Sequence, residues 1–375
     1  VKKHVFLFFV FFSISTSYAT DFNVKKLVKK NWLSLVTPHF HLVTDLQEKD
    51  AMELLQDLEE FRFLIVEVLG VQLSDELAPL PLLAIENGRY FGYLALPKNI
   101  GGVFNYHSEG YSAVASVQGY SLGGSYKTKG RHTLLHEYFH FITFLSDGGV
   151  EKQYPGWYLE GMAEYWATFR REKNLVVVGD PGPVSDRIYD LYLGVATGEG
   201  FTDTKNFLKQ DIPALKDQSE ENSKALNVFY ARAFFVVHYL QSSSSLRKST
   251  GSYVKDVTAG VDPDFAFRNA FGISYQQLDR DIKKYIVDGR MEARAFLGLN
   301  KNIDFPLVKS EIKHLEKGEK YLFFAKLCWN FGLMAAEPED RIKLLQQAIK
   351  YNPKDEDLPY YLDILQYVRK HHQAP

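Results

Sequence analysis

His136, Glu137 and His140 lie in the run His136-Glu137-Tyr138-Phe139-His140, a spacing that joins two nitrogen ligands to a carboxylate. Residues four apart on a helix share one face, so the two imidazoles can aim at a common point and hold a metal ion there. Glu137, next to the first of them, is placed to take a proton from a water that such an ion acidifies. The flanks read as a buried helix: Thr133, Leu134 and Leu135 precede the run, and Phe141 and Ile142 follow it.

A catalytic zinc takes three protein ligands and keeps a fourth position open. The third ligand must come from a neighbouring element. Asp147-Gly148-Gly149 and Pro155-Gly156 mark turns, after which residues 159–171 read as a second helix. Such a helix–loop–helix can bring Glu160 back over the face of His136 and His140. Glu164, one turn beyond Glu160, can accept a hydrogen bond from the far ring nitrogen of a ligand histidine and so fix its tautomer.

These two segments resemble the gluzincin metallopeptidases, the family of thermolysin and the zinc aminopeptidases, and in particular exported bacterial proteins of the peptidase MA-like kind. The run Trp157-Tyr158-Leu159-Glu160-Gly161-Met162-Ala163 is similar to the aminopeptidase pattern Trp-Leu-x-Glu-Gly-x-Ala. The likeness covers roughly residues 36 to 290, and its two zinc motifs are its specific part. It implies one Zn2+ held by His136, His140 and Glu160, with Glu164 as an outer carboxylate. It further implies that Tyr230 is the oxyanion donor, because Tyr230-Ala231-Arg232-Ala233 matches a Tyr-x-Lys-Gly segment, with Arg and Ala where Lys and Gly are usual. A phenol aimed at developing charge suits that task. The plainer reading makes Phe229, Tyr230, Phe234 and Val237 a buried aromatic stripe. The acidic amine-binding segment of aminopeptidases, Gly-x-Met-x-Asn, is absent, which favours an endopeptidase or a narrow processing enzyme.

With 375 residues, 46% of them hydrophobic, the chain has room for two or three folded domains. A net charge of −2 removes any electrostatic case for nucleic acid. Residues 1–19 read as a signal peptide: Lys2 and Lys3, an apolar run over 5–14, then Ser17-Tyr18-Ala19 as a small-residue cleavage site. The expectation is an exported protein, periplasmic or secreted, with no stable membrane span after cleavage; an uncleaved anchor is the alternative. The lone Cys328 makes no internal disulfide and reads as a small buried hydrophobe.

The expected fold class is α+β. A thermolysin-like domain over 20–298, sheet-rich at 36–125 and helical at 126–298, is followed by a helical appendage at 315–375. Strands are expected at 38–44, 82–85, 90–96, 111–118 and 175–178, with a helix after Asp45 carrying Leu54, Leu55, Leu58, Phe61, Leu64 and Ile65. The family likeness implies that 111–118 is the sheet edge that pairs with substrate backbone. The glycine-rich loop 119–130 is a connector, because Ser125 stands where a phosphate loop requires Lys. A helix is expected from about Phe271 to Phe296, then helices at 321–336, 340–351 and 358–371. The run Ala348-Ile349-Lys350-Tyr351-Asn352-Pro353 resembles the end of a tetratricopeptide repeat.

Other histidines read more simply. His132 belongs to a helix start rather than to a fourth ligand, since a catalytic zinc keeps a position open. His39 and His41 read as strand surface, His107 and Glu109 as solvated loop, His238 as core or surface, and His371 and His372 as tail. The reading is metal-assisted hydrolysis of peptide bonds. Its rivals are a silent zinc-site fold used for binding, with the C-terminal helices as the partner surface, and a metal-dependent hydrolase of a non-peptide substrate. A purely structural zinc has no need of Glu137.

Overall fold

Alternating and helical apolar patterns along the chain resolve into a mixed α+β architecture. The computed structural model describes residues 7–11, 23–68, 70–73, 78–94, 96, 100–107, 110–120, 129–148, 153–172, 175–182, 203–213, 219–288, 294–297, 305–330 and 338–372. In chain order the first elements are β1 (Leu7–Phe11), α1 (Val24–Lys29), β2 (Leu33–Val36), β3 (Phe40–Thr44) and α2 (Glu48–Phe63). Next come β4 (Leu80–Ile85), α3 (Gly88–Gly92), β5 (Ile100–His107), β6 (Gly110–Ser116), α4 (Lys129–Ser146) and α5 (Gly156–Ala167). Then follow β7 (Arg170–Glu172), β8 (Leu175–Val178), α6 (Thr204–Lys209), α7 (Glu220–Leu240), α8 (Ser244–Thr258), α9 (Pro263–Phe271) and α10 (Tyr275–Val287). The chain closes with β9 (Arg294–Leu297), β10 (Lys313–His314), α11 (Lys317–Asn330), α12 (Pro338–Tyr351) and α13 (Asp357–His372).

The described residues divide into two compact units, one from 1–59, 75–125 and 307–375, the other from 60–74 and 126–306. The first holds a seven-stranded mixed sheet in the order β1-β5-β6-β4-β3-β2-β10. β3, β4 and β6 run parallel, and the crossover from β3 to β4 carries α2, as parallel neighbours require. Helix α11 lies on this sheet. Phe324 meets Trp32 at 5.5 Å and Phe323 meets His41 at 6.2 Å. Asn105 Nδ2 donates to the Asn330 carbonyl at 2.5 Å, and Asn330 Nδ2 donates to Ser112 Oγ at 3.3 Å.

Several expectations are corrected here. Residues 111–118 are no edge: β6 is hydrogen-bonded to β5 on one side and to β4 on the other, so no ladder remains for a third strand. On that side β6 is followed by β5 and then by β1, which pairs antiparallel with β5 and is the outer strand. The described part of the aromatic stretch, 90–94 and 96, is not a strand. Asn87 caps α3 by accepting the Arg89 N–H at 3.1 Å, and this local bond outweighs the β preference of Tyr and Phe. The helix expected from about Phe271 to Phe296 is shorter: Gly272, in the left-handed region at φ 65°, ends the preceding α9, and α10 runs from Tyr275 to Val287. Phe296 instead pairs with Val176 across β9 and β8. The C-terminal helices fall in the same unit as the sheet. α11 packs on α12, α13, α1 and β5.

The second unit is built on helices. α5 packs against both α4 and α7, and β7-β8-β9 forms a small antiparallel sheet. From Phe229 to Leu240 nearly every residue of α7 is buried, and such an all-round apolar helix needs neighbours on every side. The contact between α5 and α7 is close because Gly161 lacks a side chain. A Cβ there would meet the Ala233 carbonyl oxygen at 2.5 Å and Val237 Cγ2 at 2.6 Å. Gly161→Ala forces the two helices apart, and overpacking of this kind costs about 1–3 kcal/mol. Denaturant unfolding of the variant checks it; wild-type stability would show that the two helices tolerate separation.

Candidate metal centre

Each site helix is held at an end by local chemistry. α4 stops at a turn in which Gly148, at φ 75°, sends its N–H to the Leu145 carbonyl at 3.0 Å, a left-handed ending that glycine adopts without strain. Pro155 precedes α5, and Gly156 gives room to Ile212, whose Cγ1 would lie 2.6 Å from a Cβ. At the far end of α5, Arg131 of α4 donates to the Phe169 carbonyl at 2.7 Å. These ties fix the register of α4 against α5.

In that register three side chains converge. His136 Nε2 lies 3.0 Å from His140 Nε2 and 3.2 Å from Glu160 Oε2, and His140 Nε2 lies 3.2 Å from the same oxygen. Four tetrahedral ligands at about 2.0–2.2 Å from zinc stand about 3.3–3.5 Å from one another, so the observed triangle is a few tenths of an ångström tighter than one face of such a tetrahedron. Among the described residues these three form the group able to hold a metal ion. The donor set fits zinc: two imidazoles and one carboxylate, all buried, with Nε2 on both histidines facing the centre.

Glu164 reaches the same cluster from behind. Its Oε1 is 3.4 Å from His136 Nδ1, which makes Nδ1 the protonated nitrogen and leaves the Nε2 lone pair directed at the centre. Burial opposes a charge on His136, but the Glu160 and Glu164 carboxylates outweigh it and lift the imidazole to about 10. Burial also opposes a charged Glu160, yet His140 and His136 outweigh it and hold this carboxyl at about 2. The pocket therefore prefers positive charge among these ligands, a demand that a divalent cation meets in place of a proton. Glu137 differs: burial first, then the Glu160 and Glu164 charges, push its carboxyl well above the usual range against the pull of His136. Its Oε1 has no hydrogen-bond partner among the described residues.

Tyr230 comes from α7, three residues before Ala233 and so on the face that meets Gly161. Its ring stands 6.0 Å from that of His136 at 71°. Arg232 turns elsewhere, its guanidinium 4.3 Å above Phe207, where burial lowers it to about 10 against the opposing charges of Asp279 and Asp203. His238 is a buried tie: Nε2 donates to the Gly179 carbonyl at 2.9 Å, and Nδ1 accepts from the Tyr285 hydroxyl at 2.9 Å. His39 is paired to Glu59 at 2.6 Å and His41 to Ser34 at 3.0 Å, both in the other unit. Glu109 lies outside the described residues, as do Lys127 and Ser125 of the glycine loop. Cys328 is buried, and burial pushes its thiol up to about 12.

Sequence reasoning missed one residue of this centre. His132 Nε2 lies 3.2 Å from the Glu164 carbonyl and 3.5 Å from Glu164 Oε2. Its spacing of four from His136 was the available signal, but that spacing does not disclose what stands on the other side.

The chain matches no protein-family model, and a search of the curated proteins finds no match. The geometry sets its own test. Purified protein dialysed against buffered zinc should retain about one ion per chain, and His140→Ala or Glu160→Ala should lose most of it. Elemental analysis measures both; full occupancy in Glu160→Ala would move the third ligand elsewhere.

Proposed function

We propose that this chain is an exported zinc metallopeptidase of gluzincin type, hydrolysing peptide bonds. The observation that carries the reading is the buried triangle of His136, His140 and Glu160, with the unpartnered carboxyl oxygen of Glu137 on the same helix. An ion held by the three ligands would polarise the scissile carbonyl and acidify a water. The rest is done by the protein. Glu137 accepts the proton of the attacking water and passes it to the leaving amine. Glu164 holds the His136 ring so that its free nitrogen keeps its aim. Tyr230 donates its hydroxyl hydrogen to the oxygen on which negative charge develops. The thermolysin-like arrangement belongs to the same proposal, supported by the helix–turn–helix that joins the two ligand segments.

Two substitutions separate these roles. Glu137→Gln keeps the shape of the side chain but cannot take the proton, so zinc should remain while cleavage of a mixed peptide library falls by about 10²-fold or more. An unchanged cleavage rate would remove Glu137 from the chemistry. A wild-type protein that loads zinc and cleaves no peptide would leave the binding module or a non-peptide hydrolase as the function.

Tyr230→Phe removes one hydroxyl and leaves the ring. The variant should fold and load zinc, with kcat lower by about 10²–10³ and KM little changed, because the bond forms chiefly in the transition state. Wild-type turnover would reduce Tyr230 to a member of the buried aromatic stripe.

A further inference from the structure

We infer that His132 is a positioning residue for the metal centre, acting through Glu164. This rests on the reading of His136, His140 and Glu160 as metal ligands. His132 and His136 stand one turn apart on α4, and the Glu164 carboxylate of α5 lies between their rings. Its two oxygens are divided between them: Oε1 is 3.4 Å from His136 Nδ1, and Oε2 is 3.5 Å from His132 Nε2. The same His132 nitrogen is 3.2 Å from the Glu164 backbone carbonyl. A nitrogen facing two acceptors must carry the hydrogen, so His132 is a donor to Glu164 through Nε2. All three side chains are buried, at 2%, 1% and 0% exposure for His132, Glu164 and His136.

His132 does not belong to the ligand triangle, whose donor atoms come from His136, His140 and Glu160 alone. Its effect is on the carboxylate. The terminal torsion of a Glu side chain is soft, so a carboxylate held on one oxygen can rotate about its last bond. The His132 N–H, bonded to the Glu164 carbonyl and 3.5 Å from Oε2, bears on the second oxygen, restrains that rotation and sets the plane that Oε1 presents to His136. A set plane fixes both the ring orientation of His136 and its tautomer, the two properties that make it a ready ligand. The backbone contact from His132 ties the same imidazole to the α5 main chain, so the relay is referenced to the helix that also carries Glu160.

Zinc affinity of the full chain, by competition with a chromophoric chelator, tests this without reference to turnover. His132→Leu should weaken zinc binding about 10-fold or more, the loss typical of an outer partner of a ligand histidine. His132→Gln keeps an N–H donor of similar reach and should recover most of that loss. In a Glu164→Gln background His132→Leu should add little, because the path it uses is already cut. The visible spectrum of the cobalt-loaded protein should shift in His132→Leu, which a purely structural loss would not cause. His238→Leu, removing a buried histidine that ties α7 to α10, should leave affinity unchanged and so controls for general destabilisation. If His132→Leu does not fold, His132→Asn, polar but too short to reach Oε2, should show the same weakening. Wild-type affinity and spectrum in His132→Leu, or full additivity with Glu164→Gln, overturns this inference alone. A wild-type chain that binds zinc no tighter than His136→Ala overturns it together with the metal reading.

Discussion

The second unit is organised around the burial of ionisable side chains between α4 and α5. His132, His136, Glu137, His140, Glu160 and Glu164 are all withdrawn from water, on two helices that are otherwise largely apolar. An isolated buried ion costs several kcal/mol even after relaxation, so such groups either find a counterpart or, like Glu137, are pushed towards the neutral form. Here the histidines of one helix face the carboxylates of the other at 3.2–3.5 Å. A slip of one turn, about 5.4 Å, would strand these charges in an apolar interface. The electrostatics therefore specify the register, and the register in turn assembles the site.

Glycines set the helix spacing around that arrangement. Gly161 lets α7 approach α5 until the Ala233 carbonyl fills the space a side chain would take, and this closeness brings the Tyr230 ring to His136. At the other end of α5, Gly179 adopts φ 81° beside Tyr165 and His238, where a Cβ would meet either at 2.9 Å. The missing side chain at Gly161 thus sets how near α5 and α7 can come.

The first unit follows a different logic. β6 is buried from Ser112 to Ser116 and bonded on both sides, as an interior strand is. Its partner β5 begins Ile100-Gly101-Gly102 and lacks the clear alternation that marks a strand, so only pairing with β6 reveals it. α11 finds its apolar partners on the sheet, through Trp32 and His41, and not along a stack of repeats. Trp329 and Tyr361 stack at 4.3 Å between α11 and α13, which joins the three C-terminal helices into the same core.

Local features could be read from the residues alone. Two histidines four apart, the neighbouring Glu137, the turn residues Gly148 and Pro155, and Glu160 with Glu164 one turn on each follow from helical periodicity or turn chemistry, and all are readable without coordinates. The helices at α12 and α13 and the strand β8 were readable for the same reason. Other features depend on partners distant in the chain and emerge only from packing. The sharing of Glu164 between His132 and His136, the divergence of Tyr230 and Arg232 to separate partners, the interior place of β6 and the union of the C-terminal helices with the sheet are of this kind. Periodicity shows which face of an element is apolar or carries a ligand; which other element meets that face is decided by packing and by the pairing of buried charge.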